Sequence, residues 1–158
     1  MLRRLPILLG LVLVLLSATG RAAGIDIVRV FPGWRSEESF RSVFEYLLGR
    51  EQPFGHRIIL RSQPGHRGGY YWLVRLKNRG TPLSHAQFEL RVITPASPET
   101  KTFTFPVDVA AGRPIFEIGL TGADWPDSNA RPVAWCIRLL ADEGRTVVAQ
   151  ESYLWELR

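Results

Sequence analysis

The chain contains one cysteine, Cys136, so no disulfide can close within it. Histidine is almost as scarce, limited to His56, His66 and His85. Neither His-x-x-x-His nor Cys-x-x-Cys spacing occurs, which removes the usual frames for structural zinc. No Gly-x-Ser-x-Gly elbow is present to seat a nucleophilic serine. Lysine occurs only at Lys77 and Lys101, so nearly every cation is an arginine. The longest apolar stretch, Leu5 to Ala18, is roughly 14 residues, short of the ~20 that cross a bilayer as a helix. These absences leave no expected metal, cofactor or catalytic residue, and the chain reads as a non-enzyme. Cys136 itself sits in the apolar run Val133 to Ile137 and is expected to be a buried, inert thiol.

What is present begins at the N-terminus. Arg3 and Arg4 precede the apolar run Leu5 to Leu16, and Ser17 to Gly24 are nearly all small. That order of charged, apolar and small residues is the pattern of a secretory signal peptide. We expect residues 1–23 to be the signal, with cleavage between Gly20 and Gly24, and residues 24–158 to form a single domain. Export is the expectation, to a bacterial periplasm or out of the cell, with no stable membrane span after cleavage. The formal charge of +5 falls to +2 once Arg3, Arg4 and Arg21 leave with the signal. So small a surplus gives no general case for nucleic-acid or membrane-surface binding.

Periodicity then separates one helix from many strands. Phe40, Val43, Phe44, Leu47 and Leu48 fall on one helical stripe, with Ser36 as a cap and Gly49 as a stop. This predicts a short amphipathic helix over 36–48, preceded by a strand over Ile25 to Phe31 and a turn at Pro32-Gly33. Beyond Gly55 the period becomes two. Tyr70, Trp72, Val74 and Leu76 alternate with Arg75 and Lys77; Phe88, Leu90 and Val92 alternate with Glu89 and Arg91. Phe103 to Val109 and Phe116 to Leu120 repeat the pattern. Val133 to Leu140 and Thr146 to Leu157 flank a glycine-containing turn and predict a closing hairpin. The pattern resembles an antiparallel immunoglobulin-like or fibronectin-like β-sandwich of about seven or eight strands. A fold of this kind assigns no function by itself.

Three residues stand out as candidate binding positions: Trp34, Arg67 and Trp125. Trp34 and Trp125, with Trp155, fall outside the predicted strand centres, where an aromatic ring serves as a lid, a stacking platform for sugar or a contact for a partner. Trp72 and Trp135 fall on strand faces and are expected in the core. The tripeptide Gly-His-Arg occurs twice, at 55–57 and 65–67, around the Ile58 to Leu60 strand. If that strand pairs with Tyr70 to Leu76, Arg57, Arg61 and Arg67 gather into a small cationic surface suited to carboxylate or phosphate. Asp124 and Asp127 flank Trp125-Pro126 in what reads as a turn. The C-terminal stretch Ser152 to Arg158 is expected as an edge strand able to accept a partner's strand. The resulting expectation is an exported protein that binds another envelope or secreted component through a sheet edge or loop face. A carbohydrate or small polar ligand on the loop tryptophans is the alternative.

Overall fold

The computed structural model describes residues 24–40 and 57–157. The expected signal segment, His56 and residues 41–48 of the expected helix lie outside the described residues. Within them the chain is mainly β. The strands are β1 (Ile25–Arg35), β2 (Arg57–Arg61), β3 (Gly69–Asn78), β4 (Leu83–Thr94), β5 (Ser97–Val109), β6 (Ile115–Thr121), β7 (Ala134–Leu140) and β8 (Thr146–Glu151). They form two four-stranded sheets, ordered β1-β3-β6-β2 and β5-β4-β7-β8.

The period-two pattern explains the core. Trp72, Val74 and Leu76 of β3 and Phe116, Ile118 and Leu120 of β6 point inward from the first sheet. Phe88, Leu90 and Val92 of β4 and Ile137 and Leu139 of β7 meet them from the second, and all are buried in one cluster. Rings cross the interface edge to face: Phe88 and Phe116 lie 5.1 Å apart, Trp72 and Trp135 6.5 Å apart. Each such side chain contributes roughly 1.5–3 kcal/mol by leaving water, which lets the domain hold together without a disulfide.

Four local expectations need correction. The opening strand does not turn at Pro32-Gly33; it continues to Arg35, with Pro32 opposite Trp72 and Gly33 opposite Tyr71. β1 is an edge strand, and a proline is tolerated where only one side of the strand is paired. The described start of the expected helix, Glu37–Phe40, is a 3-10 turn. β2 pairs with β6 rather than with β3, and runs parallel to it. Finally, the last strand stops at Glu151. Ser152 ends it by substituting its side chain for the ladder: its Oγ accepts from the Trp135 N–H at 2.9 Å, while its own N–H donates to the Trp135 carbonyl. A single helical turn, α1 (Tyr153–Glu156), follows. The C-terminal stretch is therefore not an edge strand.

Candidate functional site

Side chains that alternate away from the core form an outer face on each sheet, and on the first sheet that face is basic. The strand registers place Arg29, Arg35, Arg57, Arg61, Arg75 and Lys77 on it, against Asp26 and Glu117. Its two halves differ.

Around Glu117, and from there toward Thr121, the charges are spoken for, including Arg57, which lies level with Ile115. Glu117 is 2% exposed. It accepts from Arg57 Nη1 at 3.0 Å and lies 3.6 Å from Arg35 Nη2. The Tyr71 hydroxyl donates to the Arg67 carbonyl at 2.6 Å and accepts from Arg61 Nε at 3.0 Å. Burial raises the Tyr71 phenol above its ordinary value, with Arg61 pulling the other way. Arg61 also lies over the Phe40 ring, which packs 4.8 Å from Tyr71. Gly119, opposite Tyr71 in the ladder, makes room for that ring; a Cβ there would collide with it.

The half nearest Asn78 is open. Arg29 and Arg75 are direct partners across the β1–β3 ladder. Their guanidinium carbons sit 5.2 and 5.4 Å from the centre of the Phe31 ring, which both share. Lys77 follows on β3, and Arg113 stands just before β6. Among the described residues no carboxylate lies within ion-pair distance of Arg29, Arg75, Lys77 or Arg113; Asp26 stands opposite Lys77 in the ladder but pairs with Arg79. A groove of about 490 Å3 runs between Arg75, Lys77 and Arg113 over Val28, Leu76 and Ile115. A bulge between Ile27 and Arg29 turns Val28 out of register, leaving it 60% exposed; Phe31 is 41% exposed. Like charges directly opposite one another in a ladder repel, and the shared ring offsets this by about 0.5–1 kcal/mol per cation. Guanidinium groups held this way suit carboxylate or phosphate oxygens, which they take in bidentate fashion.

On the second sheet the outer face is balanced. Glu89 sits 2.6 Å from Arg91 Nε and accepts from Arg138 Nε at 3.0 Å. Burial alone would raise the Glu89 carboxyl, but Arg138 and Arg91 together hold it below the usual carboxylate range. Cys136 is buried and donates to Glu151 at 3.4 Å. Burial, reinforced by Glu151, pushes its thiol up to about 11.

The residues singled out from sequence fall in several places. Trp34 lies in β1, not in a loop, opposite Tyr70 and half-buried against the core. Trp125 follows a 3-10 turn over Gly122–Asp124 and is 3% exposed. Its ring lies 5.0 Å from Tyr70 and 6.4 Å from Trp72. Trp34 and Trp125 thus flank Tyr70 and close one end of the core, and a ring buried like Trp125 has no free face for a stacked sugar. Arg67 is half-buried in the loop before β3, where its carbonyl anchors Tyr71. Arg57 and Arg61 do share a face with that anchor, although β2 reaches it through β6. Asp124 and Asp127 rim a hollow of about 240 Å3 with Thr94 and Lys101. His66 packs against Gly122, and His85 sits at a bulge in β4 with φ 55°. No group of three metal-ligating side chains occurs among the described residues, and none of their helices is long and apolar enough to cross a membrane.

Sequence reasoning missed Arg29, Phe31 and Arg113. Arg75 and Lys77 were legible as the outward side of β3. The juxtaposition with Arg29 depends on β1 pairing with β3 and on a one-residue bulge, and neither leaves a local signature. The sequence matches no protein-family model and no curated protein.

Proposed function

We propose that this chain is an exported, non-enzymatic module that binds an acidic component of the envelope or extracellular space through the outer face of its first sheet. The observation that carries this reading is the Arg29–Arg75 pair, two cations opposed in a ladder around Phe31 with no carboxylate among the described residues within ion-pair distance. A partner's anions would relieve that repulsion. The candidate contact moves accordingly from Trp34 and Trp125, which support the core, to this face, with Arg67 at its margin. Export rests on the signal pattern of residues 1–23; cell fractionation that finds the chain only in the cytoplasm, with Met1 intact, would remove it.

The architecture supports an immunoglobulin-like or fibronectin-like type. β3 and β6 pair in one sheet and β4, β7 and β8 in the other, as strands B and E do against C, F and G. β1 then takes the place of strand A, β5 that of C′, and β2 is an addition alongside β6. Binding of the full chain to immobilised polyglutamate at low salt tests the functional reading. Arg29→Glu combined with Arg75→Glu should abolish retention, while Arg145→Gln, on an exposed turn, should leave it unchanged. Equal retention of all three proteins would sink the proposal.

A further inference from the structure

The geometry points to an anionic phospholipid surface as the occupant of the open half of the basic face, an inference that rests on the proposed binding function. The strand that frames this half is a poor template for a peptide. β1 carries a bulge at Val28 and a proline at Pro32, two features that keep another strand from adding to an edge. A partner arriving as an extra acidic strand therefore has no ladder to join.

Two apolar side chains lying among the cations, Val28 and Phe31, are exposed, and Ile115 is half-buried. Val28 and Phe31 project beside Arg29 and Arg75, and Ile115 lines the groove under Arg113. A water-soluble polyanion makes no use of them. At a bilayer interface they have a place, because apolar side chains settle at the boundary of headgroups and acyl chains while cations meet the phosphates above. The charges are also spread over β1, β3 and the approach to β6 rather than converging on one point. Such a layout suits a plane of separate phosphates, each taken by its own guanidinium or ammonium group. Overall charge near neutrality conceals this: the first sheet's outer face is basic, whereas Glu89 and Glu151 balance Arg91 and Arg138 on the second.

Co-sedimentation of the full chain with vesicles tests the inference. One set contains phosphatidylcholine alone and the other an equal mixture with phosphatidylglycerol. The N-terminal apolar run is common to every protein sample, so the readout is the change in the anionic-to-neutral binding ratio between variants. Arg75→Gln and Lys77→Gln should each lower that ratio about fivefold. Phe31→Ala should weaken binding to anionic vesicles while leaving its dependence on salt unchanged. Raising salt to about 1 M, where the screening length is about 3 Å, should bring the two vesicle types together. Thermal melts of the variants confirm that they remain folded; Arg75→Gln and Lys77→Gln provide two independent routes. Ratios unchanged in both folded variants would overturn the lipid assignment. Binding to soluble polyglutamate that survives Phe31→Ala, with no preference for anionic vesicles, would also overturn it and leave the basic-face function standing. Face variants that alter neither probe would remove both.

Discussion

Glu89 on the second sheet and Glu117 on the first are each flanked by two arginines, but the surfaces around them differ. Around Glu89 the outward residues are Arg91, Arg138, threonines of β5, a protonated Cys136 and Glu151, so two carboxylates match two cations. Around Glu117, Arg35 and Arg57 are satisfied, yet Arg29, Arg75, Lys77 and Arg113 continue the positive surface beyond its reach. A face that pairs its charges internally is finished as a surface. A face that leaves like charges opposed around an aromatic ring keeps a repulsion that an added anion would relieve. The net charge of the chain cannot reveal this, because it sums over two faces of different character.

Removing the carboxylates should give the largest effects and show how much each face depends on its acid. Glu117→Ala leaves Arg35 and Arg57 without their partner and opens a gap at a nearly fully buried site. We expect a loss of about 2 kcal/mol, within the range for hydrogen bonds to charged groups, read from urea unfolding. An unchanged midpoint would mean that the two arginines find water as good a partner. Gly119→Ala should cost a similar amount, about 1–3 kcal/mol, by forcing the Tyr71 ring off its hydrogen bonds to Arg67 and Arg61.

Glu89→Gln should destabilise by about 1–2 kcal/mol at neutral pH, and the loss should depend on pH. The Glu89 carboxyl is held below its ordinary 4.5 in the folded protein. Its contribution is therefore complete above the unfolded value and fades as pH falls through the lower folded one. The stability gap between wild type and Glu89→Gln should close on acidification below about 4.5 and stay constant above about 6. A gap that widens in acid would contradict the assigned direction. The same face predicts a silent thiol. With its pKa near 11 and its side chain buried, Cys136 should react with a disulfide reagent at pH 8 only as fast as the protein unfolds. Rapid labelling of the native protein would show that the second face is looser than described.

Much of this contrast was latent in the alternation of β3 and β4. Trp72, Val74 and Leu76 could be assigned to the core, and Arg75 and Lys77 to the surface, because a side-chain period of two needs no tertiary information. The burial of Cys136 followed from its apolar neighbours in the same way. The pairing of strands distant in the chain was not legible. Ile58 to Leu60 looked ready to pair with its successor, yet β2 lies parallel to β6, more than fifty residues away. Pro32-Gly33 has turn composition, and only an edge position lets it remain in a strand. Trp34 and Trp125 had the composition of exposed binding residues, but Tyr70 draws both into one end of the core. The open basic half depended on all three kinds of hidden information: long-range pairing, a bulge, and the absence of an acid within ion-pair distance among the described residues.

The smallest expected effect separates the faces by its sign. Arg138→Gln should destabilise the protein, because it strips a hydrogen-bonded partner from Glu89, a carboxylate whose side chain is only 13% exposed. Arg75→Gln removes a cation that faces Arg29 and has no carboxylate among the described residues. What it loses is the contact with Phe31; what it gains is relief from a directly opposed like charge. The two terms are of similar size, each about 0.2–1 kcal/mol. Stability at low salt should therefore stay level or rise slightly. Added salt screens the repulsion in the wild type and should narrow any such gain. Urea midpoints measured for both variants at low and high salt would check this. If Arg75→Gln destabilises as much as Arg138→Gln, Arg75 is serving the fold, and the first sheet's outer face is as complete a surface as the second.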